Sequence, residues 1–175
     1  MENTPLKQDK TGAAKSTSGK KKVKVAKDLP LNELTLRKYE KPYNISKRNL
    51  VKKLCLSIGL LNPGDSRDVV VDVLYVLLDM RKFKKGLRAE EIVEKVVELR
   101  EMEHLSQQGI APSNIRRQLR RLKELFIVDR IKKEYRIAEY STLKHIFEDK
   151  IERFILPSTI DRIKEYLVDI DEKFD

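Results

Sequence analysis

Residues 113–137 read SNIRRQLRRLKELFIVDRIKKEYRI and place four arginines within six positions. A guanidinium group is always charged. Its planar fork matches phosphate, or the O6/N7 edge of guanine, in a way that an ammonium group cannot. If the segment is a helix, Ile115, Leu119, Leu122 and Phe126 gather on one side. Arg117 and Arg120 then project on the other side, Arg116 and Arg121 flank them, and Ser113 and Asn114 stand at the N-terminal end. Residues 113–123 hold five basic side chains and no acid. The run that follows is rich in β-formers and carries Arg130, Lys132, Lys133 and Arg136. These ten residues are the candidate contacts for a polyanion, with Arg117 and Arg120 expected to carry most of it. The plain alternative is a solvated basic face.

Other reactive side chains form no such cluster. Asp68, Asp72 and Asp79 lie within about 40° of one another around a helix. Three carboxylates on one face could hold a metal, but no histidine or further acid joins them. The expectation is a solvated stripe on an otherwise apolar helix begun by Ser66. His104 and His145 are far apart. Cys55 falls among Leu54, Leu56 and Ile58 and reads as a core thiol. As the lone cysteine it excludes an intrachain disulfide. There is no glycine-rich phosphate loop, no metal-ligand spacing and no nucleophile beside a base. The chain is expected to be no enzyme and to need no cofactor or metal.

The composition points the same way as the arginines. The 175 residues carry a net charge of +10, with 38% charged and 40% hydrophobic side chains. That is enough apolar material for one core, and enough excess base to favour a polyanionic partner. Residues 1–28 hold eight lysines against three acids, whereas residues 139–175 hold six basic residues against ten acids. No apolar run is long enough to span a bilayer, and the polar N-terminus is no signal peptide. A cytoplasmic, nucleoid-associated protein is expected.

Four parts must position these groups. Residues 1–28 are nearly devoid of apolar side chains and are expected to be disordered. Lys20, Lys21, Lys22 and Lys24 there either track phosphates loosely or merely keep the chain soluble. Residues 29–65 read as an N-terminal extension with a short helix capped by Ser46, carrying Leu50, Val51, Leu54 and Ile58. Residues 66–138 read as a helix, a very short strand at Leu87-Arg88, a helix opened by Ala89-Glu90-Glu91, a loop, the arginine helix and a hairpin turning at Lys132-Lys133. Residues 139–175 form a C-terminal helical arm. In it Ser141 caps a helix with Leu143, Ile146, Phe147, Ile151 and Phe154, and Pro157 interrupts. Ser158 caps a second helix with Ile160, Ile163, Tyr166, Leu167 and Ile170.

That order, with IRRQLRRLKELFIVDR followed by EYRI, resembles the winged helix-turn-helix domain of MarR- and PadR-like prokaryotic or archaeal regulators, over roughly 66–138. The fold class is therefore mainly α with a small β-hairpin, a winged helix-turn-helix plus a C-terminal helical arm. The resemblance implies that Ser113–Lys123 is a recognition helix lying in the major groove. It also implies that 127–137 is the wing, and that helices outside the domain make a homodimer. Three features depart from the family pattern. Phe126 stands where a glycine would end the recognition helix and resists positive φ. The loop at 106–112 is long for a helix-turn-helix. The hairpin turn lacks Asn-Gly, so a two-residue primed turn is unfavourable and a short or irregular wing is expected.

The reading that unites these features is a double-stranded DNA-binding protein, a transcriptional regulator or chromatin-associated factor. The alternatives are a ribosome- or RNA-associated winged helix and a protein-interaction winged helix of the transcription machinery. The arm either dimerises or packs on its own domain.

Overall fold

The computed structural model describes residues 30–175. The lysines at 20–24 lie outside them. Residues 32–175 form one compact unit. It is mainly helical with one small antiparallel sheet: two helices, a short strand, two further helices, a hairpin and a C-terminal helical arm.

Helix α1 spans Lys47–Ser57 and starts where the Ser46 Oγ accepts the Asn49 N–H at 3.3 Å. Val51, Cys55 and Ile58 face inward, whereas Leu50 stays half exposed. Burial pushes the Cys55 thiol up to about 12, which suits a packing role. Gly59 follows with φ +76, and a Cβ there would come within 2.6 Å of the Thr35 Cβ. The extended segment crosses at that point and is tied down by Arg37, which donates to the Leu56 carbonyl at 3.0 Å and through its backbone N–H to Ser57 at 2.8 Å.

Helix α2 (Val69–Arg81) is buried almost all round. Its run of valines prefers strands in isolation, but enclosure between neighbouring helices decides its state. Strand β1 (Leu87–Arg88), helix α3 (Ala89–Met102) and helix α4 (Pro112–Glu124) follow. Strands β2 (Val128–Ile131) and β3 (Glu134–Ile137) then close a sheet in the order β1-β3-β2. One core joins Val51 and Cys55 of α1 with Leu74 and Leu77 of α2, Ile92 and Val96 of α3, Ile115, Leu119 and Leu122 of α4, and Val128 and Ile137 of the hairpin. The expected division between 65 and 66 is therefore no break in the packing, because α1 fills the space that α2 leaves open.

The aspartate stripe is the main correction. Asp72 is 0% exposed and Asp68 is mostly buried. Both face two arginines that the sequence reading passed over. Arg48 of α1 gives its Nε to Asp72 at 2.7 Å and its Nη2 to Asp68 at 2.9 Å. Arg100 of α3 repeats the pattern, Nε to Asp72 at 2.6 Å and Nη2 to Asp68 at 2.7 Å. Each carboxylate oxygen thus meets one guanidinium N–H. The i, i+4 spacing put the acids on one side as expected, but that side looks into the protein. Only Asp79 is solvated, paired with Lys82. Ser66 does not begin the helix, since Asp68 occupies the N-cap position.

The arm differs in detail. Thr142, not Ser141, caps α5 (Leu143–Ile146), its Oγ1 accepting the His145 N–H at 3.2 Å. The helix then runs without a break through a π-helical stretch, Phe147–Ile155, into α6 (Leu156–Phe174). Pro157 does not interrupt it. It sits in the first turn of α6, and the wide turns before it, where the Leu156 N–H reaches back to the Ile151 carbonyl, leave room for the ring. Ser158 caps nothing, because its Oγ donates back to the Ile155 carbonyl at 3.0 Å. Ile146 and Ile151 are buried against the domain, but Phe154 is exposed and α6 buries no residue.

The buried cluster makes two outcomes measurable. Asp72→Ala leaves the Arg48 and Arg100 Nε groups without an acceptor away from water, and two guanidinium charges against the single carboxylate of Asp68. Urea unfolding at neutral pH should show a loss of about 3–5 kcal/mol. Burial alone would raise the Asp68 carboxyl, but Arg48, with Lys52 and Arg100 beside it, more than offsets this and holds it below its ordinary value of 3.8. A depressed carboxylate stabilises the fold above that value, and the contribution is lost as pH falls through the native one. The melting temperature should therefore drop steeply below about pH 4. A flat profile from pH 6 to 3 would contradict this.

Candidate nucleic-acid interface

Helix α4 carries the densest charge, and its own periodicity turns that charge outward. Ile115, Gln118, Leu119 and Leu122 are buried. Pro112 is the first helical residue, where a missing N–H is harmless. Arg117 and Arg120 are exposed, as the spacing predicts.

The cations of α4 divide between two hollows. On the hairpin side, Arg116, Arg120 and Lys123 meet Arg88 from β1 and Arg130 and Lys133 from the hairpin around a hollow of about 690 Å³. Its acid is Glu90, at the start of α3, bound to the Arg116 Nη2 at 2.7 Å. A hydrogen bond from its own backbone and the Arg116 guanidinium hold the Glu90 carboxyl below its ordinary range. Arg116 is thus partly neutralised, which the absence of acids within 113–123 did not foretell. On the other side, Arg117 and Arg121 share a second hollow with Arg67.

Several expected contacts have structural duties instead. The Asn114 Nδ2 donates to the Gly109 carbonyl at 2.6 Å, and its Oδ1 accepts from Gln118 and Arg117. The Gln118 Oε1 accepts from Arg121, whose Nη2 reaches the Gly59 carbonyl at 3.2 Å. This polar ladder fastens α4 to the loop before it and to the turn after α1. Asn114 and Arg121 are therefore half-buried supports, whereas Ser113 is exposed at the helix start. Arg136 is not brought to the basic hollow. It is paired across the sheet with Asp129 and lies over the Tyr140 ring at 4.7 Å. Arg130, one position along, shares its side of the hairpin with Tyr135, 5.5 Å from that ring, and lines the hollow. Strand alternation separates the two arginines.

Arg67, Arg88 and Lys123 join the basic surface without having been singled out. Lys123 was recoverable, since it lies seven residues after Arg116 and so on the same face. Arg88 and Arg67 were not, because only the β1–β3 pairing and the docking of α2 bring them near α4.

Two backbone features overturn sequence expectations. Phe126 does adopt positive φ, +59. The Phe126 N–H reaches the Lys123 carbonyl and the Ile127 N–H the Leu122 carbonyl, which is the Schellman pattern normally completed by glycine. The hairpin does make a two-residue turn, with Lys132 at φ +54 and Lys133 at φ +103. Positive φ at both positions is what a type I′ turn requires. The strand register, anchored by Val128 opposite Ile137 in the core, imposes it.

The chain matches no known family model, curated protein or solved structure.

Lysine at positive φ costs about 1–2 kcal/mol per residue. Lys132→Asn with Lys133→Gly should therefore raise stability by about 1–2 kcal/mol in chemical denaturation. The same change should lower affinity for a polyanion. A variant that gains stability and loses no affinity would remove the wing tip from the interface.

Proposed function

We propose that this protein binds double-stranded DNA through α4 and the wing, as a transcriptional regulator or chromatin-associated factor. The observation that carries the reading is the convergence of six cations from three separate elements, α4, β1 and the hairpin, around one hollow with a single acid. Solvated basic helices need no such convergence. An α-helix about 10–12 Å across that presents its outer face fits the B-form major groove, about 12 Å wide. It does not fit the deep, narrow major groove of A-form RNA. Strained lysines at the wing tip, where Asn-Gly would be more stable, support a role outside folding.

The test is the double change Arg117→Ala and Arg120→Ala. Both side chains are exposed, so thermal melting should be unchanged. Affinity at fixed salt should fall by about 1–3 kcal/mol for each arginine that reads a base. A uniform loss over sequences indicates phosphate contact instead. A folded double variant that binds DNA and RNA as tightly as the parent would sink the proposal and favour a protein-interaction winged helix. Preference for ribosomal RNA over DNA would favour the ribosome-associated reading.

The arm supplies the partner in this proposal, a second copy of the chain. Leu156, Ile160, Ile163, Leu167, Ile170 and Phe174 repeat at alternating steps of four and three, the seam of a two-stranded coiled coil. Ile163 and Leu167 are 52% and 54% exposed, so no other described residue covers the seam. The arm is acidic and would be repelled from DNA, which leaves it free for protein contact. Light scattering at tens of micromolar should give a dimer mass for the full chain and a monomer mass for Ile163→Asp with Ile170→Asp. A monomeric parent would refute dimerisation.

A further inference from the structure

We infer that the hollow on the far side of α4 holds the backbone of the second DNA strand, so that the two flanks of one helix grip both strands across a single groove. The inference rests on the DNA-binding reading and adds to it a second phosphate site. This hollow, about 520 Å³, lies between α4, the start of α2 and the turn that follows α1. Arg67, Arg117 and Arg121 line it, together with Ser66, Gln118 and one acid, Asp65. The Asp65 carboxylate already accepts the Asn62 N–H at 3.1 Å. Arg121 stays bound to Gln118 and the Gly59 carbonyl as a support, so contact with a phosphate falls to Arg67 and Arg117, while three guanidinium charges against one carboxylate leave an excess of positive charge. Arg67 is exposed and has no hydrogen-bond or ion-pair partner among the described residues.

Geometry makes the pair of hollows specific for a duplex. The hairpin-side hollow contains Arg116, Arg120 and Lys123, which share one side of α4, and the far hollow contains Arg117 and Arg121, about 100° further round. At the surface of a helix about 10–12 Å across, that angle sets the two rows roughly 8–9 Å apart, and the reach of the arginine side chains widens the span towards about 12 Å. Phosphate rows bordering a B-form major groove stand about that far apart. A single strand offers one row and can occupy one flank at a time. The polar ladder through Asn114, Gln118 and Arg121 fixes α4 against the α1 turn, so the spacing between the flanks is set before any ligand arrives.

The experiment compares Arg67→Ala, Arg130→Ala and the double variant with the parent chain. The probes are a 16-base-pair DNA duplex, one of its strands alone, and the RNA duplex of the same sequence, each titrated over a range of salt. On the DNA duplex each single change should lower the slope of log affinity against log salt by roughly 0.9, and the double change by about twice that. On the single strand the double variant should lose no more than the more damaging single variant. Melting temperatures should match the parent throughout, since both side chains are exposed. If Arg67→Ala leaves duplex affinity and slope unchanged while Arg130→Ala reduces both, the second-strand site is wrong and the DNA-binding reading stands. If neither change alters binding to any of the three probes, that reading falls as well. Tighter binding to the RNA duplex than to the DNA duplex would overturn the groove-width argument.

Discussion

Everything in this protein hangs on two aspartates held between two arginines. Asp68 and Asp72 stand one helical turn apart on α2, and Arg48 and Arg100 clamp them from α1 and α3. Removing four charges from water is costly, and the cost is met only if every lone pair and N–H is matched. Here each carboxylate oxygen has a guanidinium partner, and the remaining Arg100 nitrogen donates to the Ser106 and Gln108 carbonyls. That last link reaches beyond the helices themselves. It fastens the loop before α4 to the same cluster that sets the angles of the three other helices. An apolar substitute could hold the helices together, but it would not specify where the loop goes.

The fold also spends local conformational preference at two adjacent places. Phe126 and the Lys132-Lys133 pair occupy left-handed backbone conformations that glycine or asparagine would adopt more readily. In both cases a core residue nearby dictates the path. Ile127 and Val128 must turn into the core directly after α4, and Ile137 must return beside them. The chain between these anchors has too few residues to take another route. The hairpin therefore has a defined shape although its turn residues argue against one.

Periodicity explains what was legible in the sequence. The spacing of Ile115, Leu119 and Leu122 placed Arg117 and Arg120 on the surface, and the valines and leucines of α2 marked a buried rod. The Leu87-Arg88 strand, the acid-rich start of α3 and the turn at Lys132-Lys133 were also readable from local pattern. Period alone cannot say what faces a stripe. Asp68 and Asp72 looked solvated because their partners lie 20 to 32 residues away in the chain. Arg88 and Arg67 escaped notice for the same reason, and Asn114 because one hydrogen bond to Gly109 turned it inward. Pro157 misled in the opposite direction, since a widened helical turn accommodates what a regular one would reject.

The continuous helix of the arm has a mechanical consequence. Its first part is pinned to the domain by Ile146 and Ile151, and beyond the π-helical stretch α6 is held by no buried side chain. Nineteen helical residues make a rod about 28 Å long. A tilt of roughly 10° at its root would sweep its far end through about 5 Å, close to one turn of α-helix. The wide-turned stretch is thus where any such tilt would pivot, and its stiffness would set how finely the tip is placed relative to α4.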